Sequence, residues 1–200
     1  MSGRKSGKRD DVICAAVSLF QQHGYLETSM DRIAEEAQVS KRTVYNHFES
    51  KEALFEAIRE ELVSRCGHLQ LPEPTAGALH DQLKQVGRLY AELMTSDDFI
   101  KLTRVVLSRF IQSPQMVGAA VTGREPQMPI QRWIEQAQAK GLMPAFDAQQ
   151  ATTEFAGMIT ATEFWPRLIQ DEQLRSAAER DRYLESVVGM FLKHYAPQAA

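Results

Sequence analysis

Between Thr28 and Phe48, polar side chains recur at helical spacing around a few small apolar ones. Lys41 and Arg42 are suited to donate to guanine O6 and N7 or to phosphate oxygens, and Thr43 to meet a thymine methyl or a phosphate. Tyr45, His47 and Lys51 fall near the end of that segment and the start of the next, where phosphate contacts would fix register. Ser29 opens the preceding segment, at a helix N-terminus whose amides attract phosphate. Each residue also has a plainer reading. Ser40 and Ser50 serve equally as helix caps, Tyr45 as a half-buried packing residue, His47 as a satisfied histidine. It is the combination, with core, turn and donor positions in register, that points to major-groove recognition.

Catalytic chemistry finds no such support. The sequence has no Glu-x-x-His pair for a carboxylate-bridged metal site. His23 and Glu27 have a ligand-like separation, but Gly24 between them is placed to end a helix. Gly3-x-x-x-Gly7-Lys8 is one residue short of a phosphate loop, and no Gly-x-Ser-x-Gly elbow occurs. No enzyme, metal or cofactor is expected.

The elements that must carry the polar set follow from apolar periodicity. Ile13, Ala16, Val17 and Phe20 predict a first helix over Asp10–His23, with Gly24 ending it. Ser29 caps a second, Met30–Ala37, whose Ile33 and Ala34 face inward, with Ala34 and Ala37 small enough for close helix approach. Ser40 caps a third, Lys41–His47, held down by Val44 and Phe48, and Ser50 a fourth, Lys51–Cys66. A short helix, a tight turn at Gln38–Ser40 and a second short helix form a helix-turn-helix, whose second helix offers its first turn to base edges. Further helices are predicted over Ala78–Thr95, Asp97–Ile111, Pro129–Lys140, Ala148–Ile169 and Glu172–Tyr195. Asp147 with Gln150 would form a capping box, Gly141 would cap a C-terminus, and Pro166 would kink or end its helix. No alternating run argues for a sheet, so the fold class is all-α, with about nine helices.

The 200 residues suffice for one large domain or two small ones, and 44% hydrophobic with 24% charged residues excludes a disordered chain. A net charge of −3 excludes coating nucleic acid by bulk charge. Residues 1–51 nonetheless hold eight Lys/Arg against seven Asp/Glu, while 52–200 hold fifteen against nineteen. The two cysteines, Cys14 and Cys66, imply no disulfide framework, and the longest apolar run, Val12–Phe20, is too short for a membrane span. The expected organisation is a flexible basic arm over 1–9, a DNA-binding domain over 10–50, a connecting helix over 51–70 and a C-terminal domain over 71–200. The last boundary rests on the two prolines and the glycine of 71–77.

Ala15-Ala16-x-x-Leu19-Phe20, Gly24-Tyr25, Thr28-Ser29, Ile33-Ala34, Val39-Ser40, Thr43-x-Tyr45-x-His47-Phe48 and Ser50-Lys51-Glu52-x-Leu54 together resemble the TetR family of bacterial one-component regulators. The resemblance implies an all-helical homodimer with an N-terminal DNA-binding domain and a C-terminal ligand-binding and dimerisation domain. Its DNA-contacting positions fall on Ser29, Lys41, Arg42, Thr43, Tyr45, His47 and Lys51. Asp31 departs from the pattern, standing where some members carry a base-reading arginine. An acid there either accepts from cytosine N4 or stays off the DNA. The C-terminal half is loosely similar to the AefR-type subgroup, through Asp147-x-x-x-Ala151-x-x-x-Phe155-x-Gly157 and Phe164-Trp165-Pro166.

For that half, Phe99, Thr103, Arg104, Phe110, Met116, Trp133, Met143 and Phe164 are the candidate lining of an apolar effector pocket, or plain core. Glu163 is one candidate partner for Arg104. Ala151, Phe155, Met158, Ile159 and Thr162 on one helix, and Leu184, Val187, Val188, Phe191 and Tyr195 on the last, are candidate dimer seams, or intramolecular core. The expected function is a cytoplasmic, sequence-specific transcriptional regulator. It would be a repressor released from a near-palindromic double-stranded operator by a small apolar or amphipathic effector, with no membrane partner. The alternatives are an activator or adaptor recruiting a protein, and a small-molecule-binding helical protein with a vestigial DNA module.

Overall fold

The computed structural model of the chain describes residues 7–113 and 128–195, and every regular element among them is helical. In chain order these are α1 (Lys8–Glu27), α2 (Met30–Glu36), α3 (Lys41–His47), α4 (Lys51–Gly67), α5 (Leu79–Thr95), α6 (Asp97–Gln112), α7 (Pro129–Ala139), α8 (Ala148–Ile159), a π turn (Thr160–Phe164), α9 (Trp165–Gln170) and α10 (Ala177–Tyr195). Since α8, the π turn and α9 run on without a break, they form the single long helix that periodicity predicts.

The caps explain most of the boundaries. The hydroxyls of Ser29, Ser40 and Ser50 accept from the amides of Arg32, Thr43 and Ala53 at 3.2, 3.1 and 3.1 Å. Helix α1 starts at Lys8, earlier than expected, because the Asp10 carboxylate accepts from the Gly7 amide at 3.4 Å. Its last turn is reached through Gly24 at φ 81°, a conformation that favours glycine, and the Thr28 hydroxyl closes the bend by donating to Gly24 O at 2.8 Å. Helix α10 starts at Ala177, five residues later than expected. Asp171 turns left-handed at φ 55°, and Ser176 with Glu179 forms a reciprocal capping box.

Two other expectations need correction. Asp147 caps α8 alone, because the Gln150 side chain reaches forward to Glu154 and not back to the cap. Pro166 neither ends nor visibly breaks its helix. The wider π turn just before it absorbs the missing amide and the ring.

By contacts the chain divides into two units, at Ser64/Arg65 and again at Ile100/Lys101. The sequence places the boundary at 71–77, but that stretch is pinned within the second unit. Trp133 Nε1 donates to Pro72 O at 2.8 Å and Lys140 Nζ to Pro74 O at 2.9 Å. The second half of α6 instead returns to the first unit, where Leu102, Val105 and Val106 complete a core with Val12, Phe20, Ile33, Val44, Leu54 and Ile58, and Phe110 packs against it. In the second unit, Leu83, Val86, Phe155, Ile159, Leu184 and Phe191 are buried. A Cβ at Gly87 would come within 2.9 Å of the Leu184 side-chain methyl, so α5 and α10 pack closely there and a larger residue would require Leu184 to move.

The turn between α2 and α3 is the tightest joint. Val39 N bonds Ala34 O at 3.0 Å and Gln38 N bonds Glu35 O at 3.1 Å, a Schellman closure that throws Gln38 into the left-handed region at φ 53°. An L side chain there is strained by about 1 kcal/mol. Gln38→Gly is therefore expected to stabilise the first unit by up to about that amount. Chemical denaturation checks it, and a lower midpoint for the glycine variant would show that the turn carries no strain.

Candidate nucleic-acid interface

The polar set identified from the sequence lies on the first unit. Ser29, Lys41, Arg42, Tyr45 and His47 are exposed, and Thr43 is half-buried with its hydroxyl 2.8 Å from Ser40 Oγ. Val44 and Phe48 are buried beneath them and hold α3 to the core. Tyr45 keeps 51% of its surface open despite its size, so its ring is accessible from solvent. Arg42 has no ion-pair partner among the described residues, so its five donors are available.

Lys41 is differently placed. Its Nζ stands 2.5 Å from Asp31 Oδ2, and this hydrogen-bonded carboxylate raises the lysine's pKa above the ordinary value. Asp31 is thus paired across the α2–α3 turn. Its neighbour Arg32 is held elsewhere, with Nη2 2.8 Å from His23 Nε2.

Lys51 does not offer itself to solvent as a phosphate ligand. Its ammonium donates to the carbonyls of Tyr25, Leu26 and Thr28 at 2.8, 3.2 and 2.9 Å, using all three of its protons, and lies 4.5 Å from the centre of the Tyr25 ring. On the same ring stands the Arg109 guanidinium of α6, at 4.6 Å. The Tyr25 hydroxyl donates to Glu52 Oε1 at 2.9 Å. Burial, reinforced by this bond, pushes the phenol up to about 12. Glu52 is held below its ordinary value by its own backbone amide and then by Tyr25. Two cations, a buried ring and a carboxylate therefore clamp the connection that leads into Ser29. The Gly24-Tyr25 pair marks one end of this clamp in the sequence, but nothing in the sequence signals Arg109, eighty-four residues away.

The donor surface has an edge. Beside the end of α3 a groove of about 510 Å³ is lined by Arg9, Tyr45, Asn46 and His47 but also by Glu49, Glu56 and Glu60. Glu56 is paired with Arg59 of its own helix, while Glu49 and Glu60 give the groove an acidic border beside the exposed donors of α3.

Of the candidate effector residues, Thr103, Arg104 and Phe110 belong to the first unit, while Phe99, Trp133, Met143 and Phe164 are buried in the second. Phe99 and Phe164 meet edge to face at 6.2 Å. Met116 lies outside the described residues. Glu163, nominated as a partner for Arg104, lies 3.3 Å from Arg180 and 3.8 Å from Arg175 in its own unit. Of the candidate dimer residues, Ala151, Phe155, Ile159, Leu184, Val187, Val188, Phe191 and Tyr195 are buried within the chain's own core, so those side chains do not face a partner. Met158 and Thr162 are half-buried. The open faces of the same helices carry Thr153, Gly157 and Ala161, and Gly189 and Met190.

Comparison with known proteins gives two family matches. Residues 12–58 match the family described as bacterial regulatory proteins, tetR family, and residues 81–197 match the AefR-like transcriptional repressor C-terminal domain. The chain is similar to a crystal structure of a TetR family transcriptional regulator from Pseudomonas syringae pv. tomato, with 32% identity and a TM-score of 0.84, covering 96% of this chain and 98% of that one. It is 35% identical over 101 residues to the uncharacterized HTH-type regulator YvkB of Bacillus subtilis, covering 50% of this chain and 51% of that protein. It is also 35% identical over 78 residues to the "Probable acrEF/envCD operon repressor" of Escherichia coli, covering 39% of this chain and 35% of that protein. The match thus spans a third to a half of the length of these two curated relatives.

The Tyr25 clamp makes a pH-dependent contribution of definite sign. Its phenol is raised from 10.0 to about 12 in the folded chain, so its stabilisation is whole below pH 10 and is lost as pH rises toward about 12. Tyr25→Phe is expected to lower stability by about 1 kcal/mol near neutral pH, with the gap to the parent closing on the alkaline side. Urea midpoints of both proteins across that range test this. A gap that stays constant would exclude Tyr25 as a buried donor.

Proposed function

Because the chain belongs to the TetR family of transcriptional regulators, with an AefR-like C-terminal domain, we propose that it is a sequence-specific DNA-binding repressor released by a small effector. The observation that carries the reading is the exposed first turn of α3, where Arg42 stands free beside Lys41 and Tyr45 while Val44 and Phe48 anchor the helix from below. Arg42 reads guanine O6 and N7, Lys41 joins it, and Thr43 meets a methyl or a phosphate. Ser29, Tyr45 and His47 fix register on the backbone. Lys51 acts one step back, by holding the connection that precedes Ser29. The protein works by binding and not by catalysis, in the cytoplasm where its operator lies.

The partner copy packs on the open faces of α8 and α10. A Cβ at Gly157 or Gly189 would meet nothing within 4 Å, so neither glycine is demanded by its own chain's packing. A mid-helix glycine destabilises by about 0.5–1 kcal/mol relative to alanine, and close approach by a second surface gives it a reason to be there. With Met158 and Met190 these glycines form the self-complementary patch of a two-fold dimer, whose half-sites then lie on one face of the duplex. The effector is apolar or amphipathic and is taken up near Phe99, Trp133, Met143 and Phe164 in the second unit. It releases DNA by binding the DNA-incompetent dimer more tightly than the competent one.

Selection of bound sequences from a random duplex pool at about 100 mM salt is the direct test, since phosphate-driven binding weakens steeply with salt. An enriched inverted repeat is expected. Arg42→Ala should weaken the selected site by about 1–3 kcal/mol and change the preferred base, whereas Tyr45→Ala should weaken all sequences alike. If both variants bind and select as the parent does, α3 is not the reading helix. Gly157→Ala should raise the melting temperature of the monomer while weakening the dimer in sedimentation equilibrium, and Met190→Glu should weaken the dimer alone. Unchanged dimerisation in both would move the seam elsewhere.

A further inference from the structure

Asp31 sits on the face that the DNA-binding reading turns toward an anionic polymer, where an acid is out of place. It is nevertheless fixed there. The Schellman closure at Ala34–Val39 folds the first turn of α2 onto the first turn of α3, and Asp31 Oδ2 meets Lys41 Nζ at 2.5 Å. Both side chains remain open, 62% for Lys41 and 51% for Asp31. An ion pair this exposed adds little to stability, so holding the fold together does not account for it.

The pair changes how the face behaves toward a duplex. A free lysine at the start of α3 would neutralise a phosphate and release a counterion wherever the protein landed, which favours all sequences equally. Beside Asp31 that charge is already balanced, and the carboxylate itself repels a phosphate. What the pair presents is an acceptor next to a donor. The free carboxylate oxygen accepts from the N4 amino group of cytosine, and the remaining ammonium protons donate to O6 or N7 of guanine, the pattern of the major-groove edge of a C·G pair.

Resting on the DNA-binding reading, we infer that Asp31 is a specificity-determining residue that works through Lys41. It withholds the lysine from the phosphate backbone and joins it in reading one C·G pair per half-site.

The test measures binding of the full-length parent, Asp31→Ala, Asp31→Asn and the Asp31→Ala/Lys41→Ala double variant to two duplexes over a salt series. One duplex carries the site selected by the parent and the other is scrambled. Removing the carboxylate should tighten binding to the scrambled duplex and steepen the slope of log affinity against log salt by about 0.9, the value for one added phosphate contact. Asparagine, which keeps the shape without the charge, should do the same, and the double variant should return the slope to that of the parent. Discrimination between the two duplexes should fall about 5- to 150-fold in both single variants, with loss of C·G enrichment at one position of each half-site on reselection. Single variants that bind the scrambled duplex no more tightly, with unchanged salt slopes, overturn the inference while leaving the DNA-binding reading intact. A parent that retains neither duplex at low salt overturns that reading, and this inference with it.

Discussion

Three carbonyl oxygens, those of Tyr25, Leu26 and Thr28, point at one ammonium group, and the geometry of the first unit depends on that convergence. The connection between α1 and α2 cannot satisfy these acceptors by itself, because Gly24 has broken the helical ladder just before them. Unpaired, they would be a liability next to a buried ring. Lys51, the first residue of α4, supplies the missing donors and ties the start of α4 to the entrance of α2. Tyr25 adds a second tie through Glu52, and Arg109 packs on its ring from α6. Three segments distant in sequence are thus fixed around the point where Ser29 and α2 begin. The positions of the exposed donors on α3 are a downstream result, since α3 is set against α2 by the left-handed turn at Gln38.

Charge in this unit is placed locally. The whole chain is net acidic, yet Arg42 stands open at the start of α3, Lys41 is held by Asp31, and Glu49 and Glu60 border the far side. Such an arrangement limits the area over which a polyanion is attracted and leaves more of the recognition to hydrogen bonds of defined direction. A uniformly basic face would hold any duplex. One bounded by acids holds a duplex in few registers.

The helices were legible in the sequence because each carries its own signal: the inward stripes of α1 and α4, the serine caps of α2 and α3, the glycine after α7. What escaped is contact between segments. The domain boundary looked like 71–77 because two prolines and a glycine usually mark a linker, whereas Trp133 and Lys140 bind that stretch by its carbonyls. The return of α6 to the first unit depends on Leu102, Val105 and Val106 finding a core assembled from residues 12–58. Lys51 was legible as a functional cation but not as one turned inward on the backbone, since charge and position read the same in either case. The stripes of α8 and α10 were visible as apolar, but periodicity cannot say whether the matching surface belongs to the same chain. Burial decides it for Phe155, Leu184 and Phe191, and the glycines left outside then become the informative residues.

The π turn at Thr160–Phe164 has a consequence for how this chain compares with others of its kind. A π turn closes its hydrogen bonds over five residues where an α turn uses four, so it amounts to one surplus residue held in an otherwise α-helical segment. Everything after it, Pro166 and Leu168 included, is rotated by the angle of one residue relative to an uninterrupted helix. A homologue lacking one residue between Thr160 and Phe164 would carry an ordinary α-helix with the later side chains on the same faces. The natural unit of change here is therefore the insertion or deletion of a single residue, and a gap in alignment at this point preserves the fold's phase where a forced substitution would not.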